Sequence, residues 1–177
     1  GFVALSHWDF DHYSLALTKM PSLAELRWYA PSQTVGPNAA KLQIHLGSHL
    51  RALTSPSFKI TKNLTLWRAT GDPSDRNNSG YVLEAALRGD RALLTGDANY
   101  DNIPNHLKIG LTALSIPHHG SGGGGSPPTG GGRAVASYGI PNRYGHPDEA
   151  ALSAYGTAGW KVPRTAEFAD HPRSDRW

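Results

Sequence analysis

Cysteine is absent from the 177 residues. Disulfide scaffolds and thiolate zinc sites, zinc fingers among them, are excluded, and any metal must be held by His, Asp or Glu. The same absence leaves the redox compartment unread. Long apolar runs are lacking too: none approaches the roughly 18 residues that would span a bilayer. Blocks of one charge are also missing, since 17 basic residues stand against 14 acidic ones for a formal net charge of +3. The basic surplus is spread thinly, so an anionic partner is permitted but not demanded. What the chain does have is 38% hydrophobic residues, enough at this length for one core, and a single domain over 1–177 is expected.

Histidine and aspartate are concentrated rather than scattered. Ser6-His7-Trp8-Asp9-Phe10-Asp11-His12 follows the apolar run Phe2-Val3-Ala4-Leu5. In an extended segment, His7, Asp9 and Asp11 alternate onto one side, and His12 joins them where the chain turns. Imidazoles and carboxylates held so close point to a cation. A second such place is Gly96-Asp97, a carboxylate behind a glycine at the end of a strand. The alternative for Asp97 is the N-cap of a helix over 100–107. The third is Pro117-His118-His119-Gly120-Ser121, paired histidines at a strand end, suited to metal or to acid–base work. The fourth, Asn142-Arg143-Tyr144-Gly145-His146-Pro147, puts one more histidine in a turn. His45 and His49 sit at i, i+4 of a helix, but Leu46 stands where a zinc-type motif would need Glu, so they read as surface residues.

Between these clusters the pattern alternates strand and helix. A helix is expected over 13–20, stopped at Pro21, and a strand over 26–30. Apolar spacing predicts an amphipathic helix from 37 to about 53 despite Gly47. Strands follow at 58–60 and 64–69, then a loop of turn formers over 71–80. Residues 81–87 and 91–95, joined through Arg88-Gly89-Asp90, give the clearest hairpin signal. Strands at 111–117 and 133–138 flank a glycine- and proline-rich tract, 121–132, which reads as a mobile active-site flap. Pro147-Asp148-Glu149 opens a helix to about 155, and 160–162 and 167–168 are terminal strands.

The four motifs, in this order, resemble the metallo-β-lactamase fold hydrolases. HxDxDH at His7 to His12, LLTGD at Leu93 to Asp97, HHGS at His118 to Ser121 and the turn ending at His146 are most similar to the hydrolase domain of ComEC/Rec2-type competence proteins. The resemblance implies an α/β, four-layer αββα sandwich. It also implies that the first strands of that sheet lie upstream of Gly1. It implies two divalent metal ions, with His7 and Asp9 on one, Asp11 and His12 on the other, Asp97 bridging and His119 as the remaining ligand. Asp11, His118 and His146 are the catalytic candidates, His118 as neighbour or proton donor and His146 as general acid or phosphate ligand. Packing for His118 and helix capping for His146 stay open. Arg143 and Ser121 are candidate substrate contacts. Asp9 stands where most of the superfamily has His, and Asn77 falls near another missing His. Both departures harden the site, so zinc or manganese is expected, with magnesium admissible.

The implied activity is hydrolysis through a hydroxide shared by two cations, most readily of DNA or another phosphodiester. Trp8, Phe10, Tyr13 and Tyr144 either stack on bases or pack beneath the site. The alternatives are a hydrolase of small lactones, esters or thioesters, and a metal-binding remnant without turnover. A cytoplasmic setting is expected unless an upstream membrane region carries the domain. The sequence does not reveal an oligomeric state.

Overall fold

The computed structural model describes residues 1–139 and 144–163. The expected strand at 167–168 and the residues Asn142 and Arg143 lie outside them. Among the described residues, strands form two sheets. In the first, β1 (Phe2–Ala4), β2 (Arg27–Pro31) and β3 (Leu50–Leu53) run parallel in that order. In the second, β4 (Ser57–Thr61), β5 (Leu64–Arg68), β6 (Tyr81–Leu87), β7 (Asp90–Leu94), β8 (Ala113–Ser115) and β9 (Arg133–Val135) follow chain order. The first four pair antiparallel, and β7, β8 and β9 pair parallel.

Side-chain alternation builds the layers. On β2, Trp28 and Ala30 face a core formed with Leu5, Ala16, Leu42 and Leu46, where α1 (Phe10–Thr18) and α2 (Pro37–Leu46) cover the parallel sheet. Tyr29 points the other way, to Leu53, Phe58, Leu66 and Tyr81 between the two sheets. On β6 the same period places Tyr81 and Leu83 in that middle layer and Val82 on the far face. There Val82, Leu93, Leu114 and Ala134 pack with Leu152 and Tyr155 of α4 (Glu149–Thr157) and with Trp160. Helices, sheet, sheet and helix make the expected αββα sandwich. No helix among the described residues is long and apolar enough to cross a membrane.

Several boundaries differ from the sequence expectation. The helix over 37–53 ends at Leu46, where Gly47 adopts φ +47°, and residues 50–53 become β3. Leu50 and Leu53 suit either period, and pairing with β2 decides between them. The 71–80 loop contains a single helical turn, α3 (Arg76–Ser79), capped by the Asp75 carboxylate, which accepts from Asn78 N–H. The 100–107 helix is instead two 3₁₀ turns, Tyr100–Asn102 and Asn105–Lys108, divided at Pro104. Residues 160–162 contribute only a bridge from Lys161 to Arg133.

The glycine-rich tract is not a free flap. Gly124 O accepts from Tyr100 N–H, Pro128 O from the Trp160 indole, and Gly130 N–H donates to Ala158 O. Glycine serves close approach here, since a Cβ on Gly132 would fall 1.6 Å from Thr112 O.

On the second sheet, Glu84 accepts from the Trp67 indole at 2.9 Å and from Arg91 at 2.7 and 3.0 Å. Burial alone would raise its pKa, but those hydrogen bonds hold the carboxyl below its ordinary value. A depressed folded pKa adds stability above the unfolded value, near 4.3, and loses it as pH falls through the folded one. Glu84→Gln is therefore expected to cost about 1–2 kcal/mol at pH 7 and to converge with wild type as the pH falls through the depressed folded pKa. Thermal melts from pH 3 to 7 measure this, and a gap independent of pH would refute it.

Candidate metal centre

Three strand ends converge on one point. After β1 the chain is pinned by Tyr81 N–H donating to Ser6 O at 2.8 Å. The approach is so close that a Cβ on Gly80 would lie 2.3 Å from Ser6 O and 3.1 Å from His7 Cβ. Asp9 occupies the N-cap position of α1, yet its carboxylate caps nothing. Because α1 starts at Phe10, the extended alternation stops short of Asp11, which sits with His12 in the first helical turn. After β7, Gly96 turns with φ +54° and delivers Asp97. The turn is held by Thr95, whose hydroxyl donates to Ser115 O at 2.9 Å. After β8, His118 and His119 take left-handed backbone angles, φ +49° and +56°. Such angles cost about 1–2 kcal/mol per non-glycine residue. Backbone bonds fix the turn, His118 N–H to Gly96 O and Ser121 N–H to His118 O.

Asp97, 8% exposed, is the hub. Its Oδ1 lies 3.3 Å from His12 Nε2 and 3.9 Å from His119 Nε2, while Oδ2 lies 3.7 Å from His7 Nε2 and 4.0 Å from His118 Nε2. Asp11 Oδ2 stands 3.3 Å from His119 Nε2 and 3.7 Å from His12 Nε2. Two sets could each hold an ion, His7 with His12 and Asp97, and Asp11 with His12 and His119; the potential ligand atoms of each lie within 4.8 Å of one another. His12 belongs to both sets, and its one Nε2 lone pair can serve only one ion at a time. Asp9 joins neither set. Its Oδ2 is 3.6 Å from His7 Nε2, and its Oδ1 accepts from Arg76 Nε at 2.6 Å.

The donors fit a divalent cation. Nε2 of His7, His12 and His119 is buried in each case, with no hydrogen-bond partner among the described residues. Their other ring nitrogens are engaged. Ser6 Oγ lies 3.0 Å from His7 Nδ1 and 3.3 Å from His12 Nδ1, and His119 Nδ1–H donates to Ser137 O at 2.8 Å. A hydroxyl has two acceptor lone pairs, so Ser6 can take an N–H from both rings and aim both Nε2 lone pairs at the hub. Burial, reinforced by the His12 ring 4.1 Å away, pushes His7 down to about 4 and keeps it neutral. Contact with Asp11 lifts His119 to about 9, and the same contact brings Asp11 down to about 2. Burial would raise Asp97, but the His12 contact and the neighbouring imidazoles hold it below its ordinary value.

Of the other predicted residues, His146 reaches the edge of the cluster, its ring 5.8 Å from that of His118. Burial and the charges of His118 and His119 push its pKa down. Ser121 joins through its backbone contact with His118. His45 and His49 are exposed, as read from the sequence. Trp8 and Tyr13 are buried, the Trp8 indole donating to Pro31 O, whereas Phe10 and Tyr144 are 54% and 83% exposed. The Asn77 Oδ1 atom is buried without a hydrogen-bond partner among the described residues. Sequence reasoning missed the Ser6 clamp and Arg76. The first is a local hydroxyl that nothing in the spacing marks, and the second lies 67 residues from its partner.

By sequence the chain matches no family model and no curated protein. Its structure is similar to that of Tm1679, a metal-dependent hydrolase of the β-lactamase superfamily. Identity is 14% and the TM-score 0.55, over 93% of this chain and 76% of that one. Zn²⁺-bound PqqB from Methylobacterium extorquens is similar at 16% identity and TM-score 0.49, over 92% and 70% of the two chains. The likeness to Tm1679 establishes the metallo-β-lactamase fold.

Proposed function

We propose that this metallo-β-lactamase-like chain is a divalent-metal-dependent hydrolase, and within that class a phosphodiesterase or nuclease of the ComEC/Rec2 type. The observation that carries the reading is the convergence of the buried His7, His12 and His119 Nε2 atoms on the buried Asp97 carboxylate. The mixed donors, imidazoles of His7, His12 and His119 with the carboxylates of Asp11 and Asp97, support manganese or zinc, with magnesium admissible. Bound there, divalent ions supply Lewis acidity, lowering the pKa of water towards 7 and offsetting charge on the ester oxygens.

The chain's own residues do the rest. Asp97 sets the spacing of the imidazoles, and Ser6 Oγ and Ser137 O engage Nδ1 of His7, His12 and His119, turning each Nε2 towards the hub. His118, 4.0 Å from Asp97 Oδ2, and His146, its ring 5.8 Å from that of His118, are proposed to pass a proton to a departing alkoxide. Arg143 and Ser121 are proposed as substrate contacts. Exposed Phe10 and Tyr144 offer faces on which a base can stack. Phosphodiester chemistry is supported over ester chemistry by the guanidinium of Arg76 beside the site.

Removing the Ser6 hydroxyl should loosen two rings at once. Ser6→Ala is expected to weaken divalent-metal binding about 10–100-fold, read by competition against a chelating dye; unchanged affinity would contradict the clamp. The function itself is tested by incubating the chain and Mn²⁺ or Zn²⁺ with single-stranded DNA and bis-p-nitrophenyl phosphate, beside lactone, ester and thioester panels. Chelator-sensitive cleavage of the phosphodiesters is expected. Turnover of the lactone or ester panel alone would replace the phosphodiesterase reading, and metal binding without any turnover would leave a non-catalytic domain.

A further inference from the structure

Asp9 is the one motif carboxylate that belongs to neither ligand set, and its partner explains why. Arg76 Nε donates to its Oδ1 at 2.6 Å, with the two side chains 40% and 30% exposed. This is more than a loose surface pair, because the backbone of α3 is fastened to the segment that carries Asp9. Gln33 bridges them, its Nε2 donating to Arg76 O and to Ser79 Oγ at 2.9 Å each and its Oε1 accepting from Trp8 N–H at 3.3 Å. Asp75 caps the same turn. Asp11 and Asp97, in contrast, face only imidazoles, with no lysine or arginine paired to either among the described residues.

A guanidinium is charged at every working pH and cannot shed its proton to make way for a metal. With His12 taken by the first ion, a second is left with His7, Asp97 and Asp9; held on Asp9, the guanidinium neutralises that carboxylate and repels the ion through a partly desolvated gap. We propose that Arg76 is a built-in counter-cation that makes the centre unequal. One divalent ion binds tightly around Asp11, His12, His119 and Asp97. A second, on the His7 and Asp9 side, binds only in competition with Arg76. The inference rests on the metal-centre reading above and adds the order and relative strength of the two sites.

Titration of the chelator-stripped full chain with Mn²⁺, followed by calorimetry and by the electron paramagnetic resonance of free Mn²⁺, separates the two. Wild type is expected to take one equivalent at least tenfold more tightly than a second, and Arg76→Gln to bring the second within roughly tenfold of the first. Arg76→Lys, which keeps the charge, is expected to restore the inequality, and circular dichroism confirms that each variant is folded. Two equal equivalents in wild type, or a second equivalent that Arg76→Gln leaves unchanged or weakens, would overturn the proposal and leave the metal centre standing. No Mn²⁺ bound by any of the three proteins would overturn both.

Discussion

Asp97→Ala is expected to abolish retention of divalent metal through desalting and to lower kcat/KM on bis-p-nitrophenyl phosphate by about a thousandfold or more. No other side chain touches so much of the cluster. Four imidazole Nε2 atoms lie between 3.3 and 4.0 Å from its two oxygens. Without the carboxylate, His7, His12, His118 and His119 face one another with no anion between them, and a cation has lost the group that joins the two sides of the centre. Asp97→Asn keeps the shape and removes only the charge, so it should fold like wild type and still lose most activity. The checks are metal content by mass spectrometry and initial rates at saturating Mn²⁺. Cleavage that survives in Asp97→Ala would end the metal mechanism.

The second large effect comes from a residue with no side chain. A Cβ on Gly80 would press into Ser6 O at 2.3 Å, on the carbonyl that accepts from Tyr81 N–H. The backbone must give way there, so the start of β6 parts from the end of β1 and His7 moves with it. Overpacking of this kind costs about 1–3 kcal/mol, and the lost hydrogen bond adds about 1 more. Gly80→Ala should therefore lower the melting temperature by roughly 10 °C and weaken metal binding in the same protein. Gly131→Ala, where a Cβ meets nothing within 4 Å, should stay within about 0.5 kcal/mol of wild type. Equal melting temperatures for the two variants would contradict the account of how the first strand end is held.

The parts of this site that were legible in the sequence are those carried by neighbouring residues. His7 to His12, Gly96-Asp97 and His118-His119 each present their chemistry within a few positions of a strand end, and strand ends follow from local apolar runs. The hairpin of β6 and β7 was legible for the same reason, since Tyr81, Val82 and Leu83 alternate between two cores and Arg88-Gly89 makes the turn. What was not legible depends on partners distant along the chain. Leu50 and Leu53 fit a helix as well as a strand until β2 offers them an edge. The glycines of 121–132 looked like mobility, yet Gly130 and Gly132 are small because Trp160 and Thr112 lie against them. For Trp8 and Tyr13 the sequence leaves stacking on a base and packing beneath the site both open, and the core under α1 takes them. Arg76 sat among turn formers with no periodic signal, and only the fold brings it to Asp9.

The most direct measurement is diffraction from crystals of the full chain grown with Mn²⁺, recorded where manganese scatters anomalously. The account predicts a strong anomalous peak among Asp11, His12, His119 and Asp97, with His12 and His119 Nε2 at about 2.0–2.3 Å from it and a weaker peak or none beside Asp9. Density without a peak at Asp97, with His119 still resting on Asp11 at saturating Mn²⁺, would contradict it.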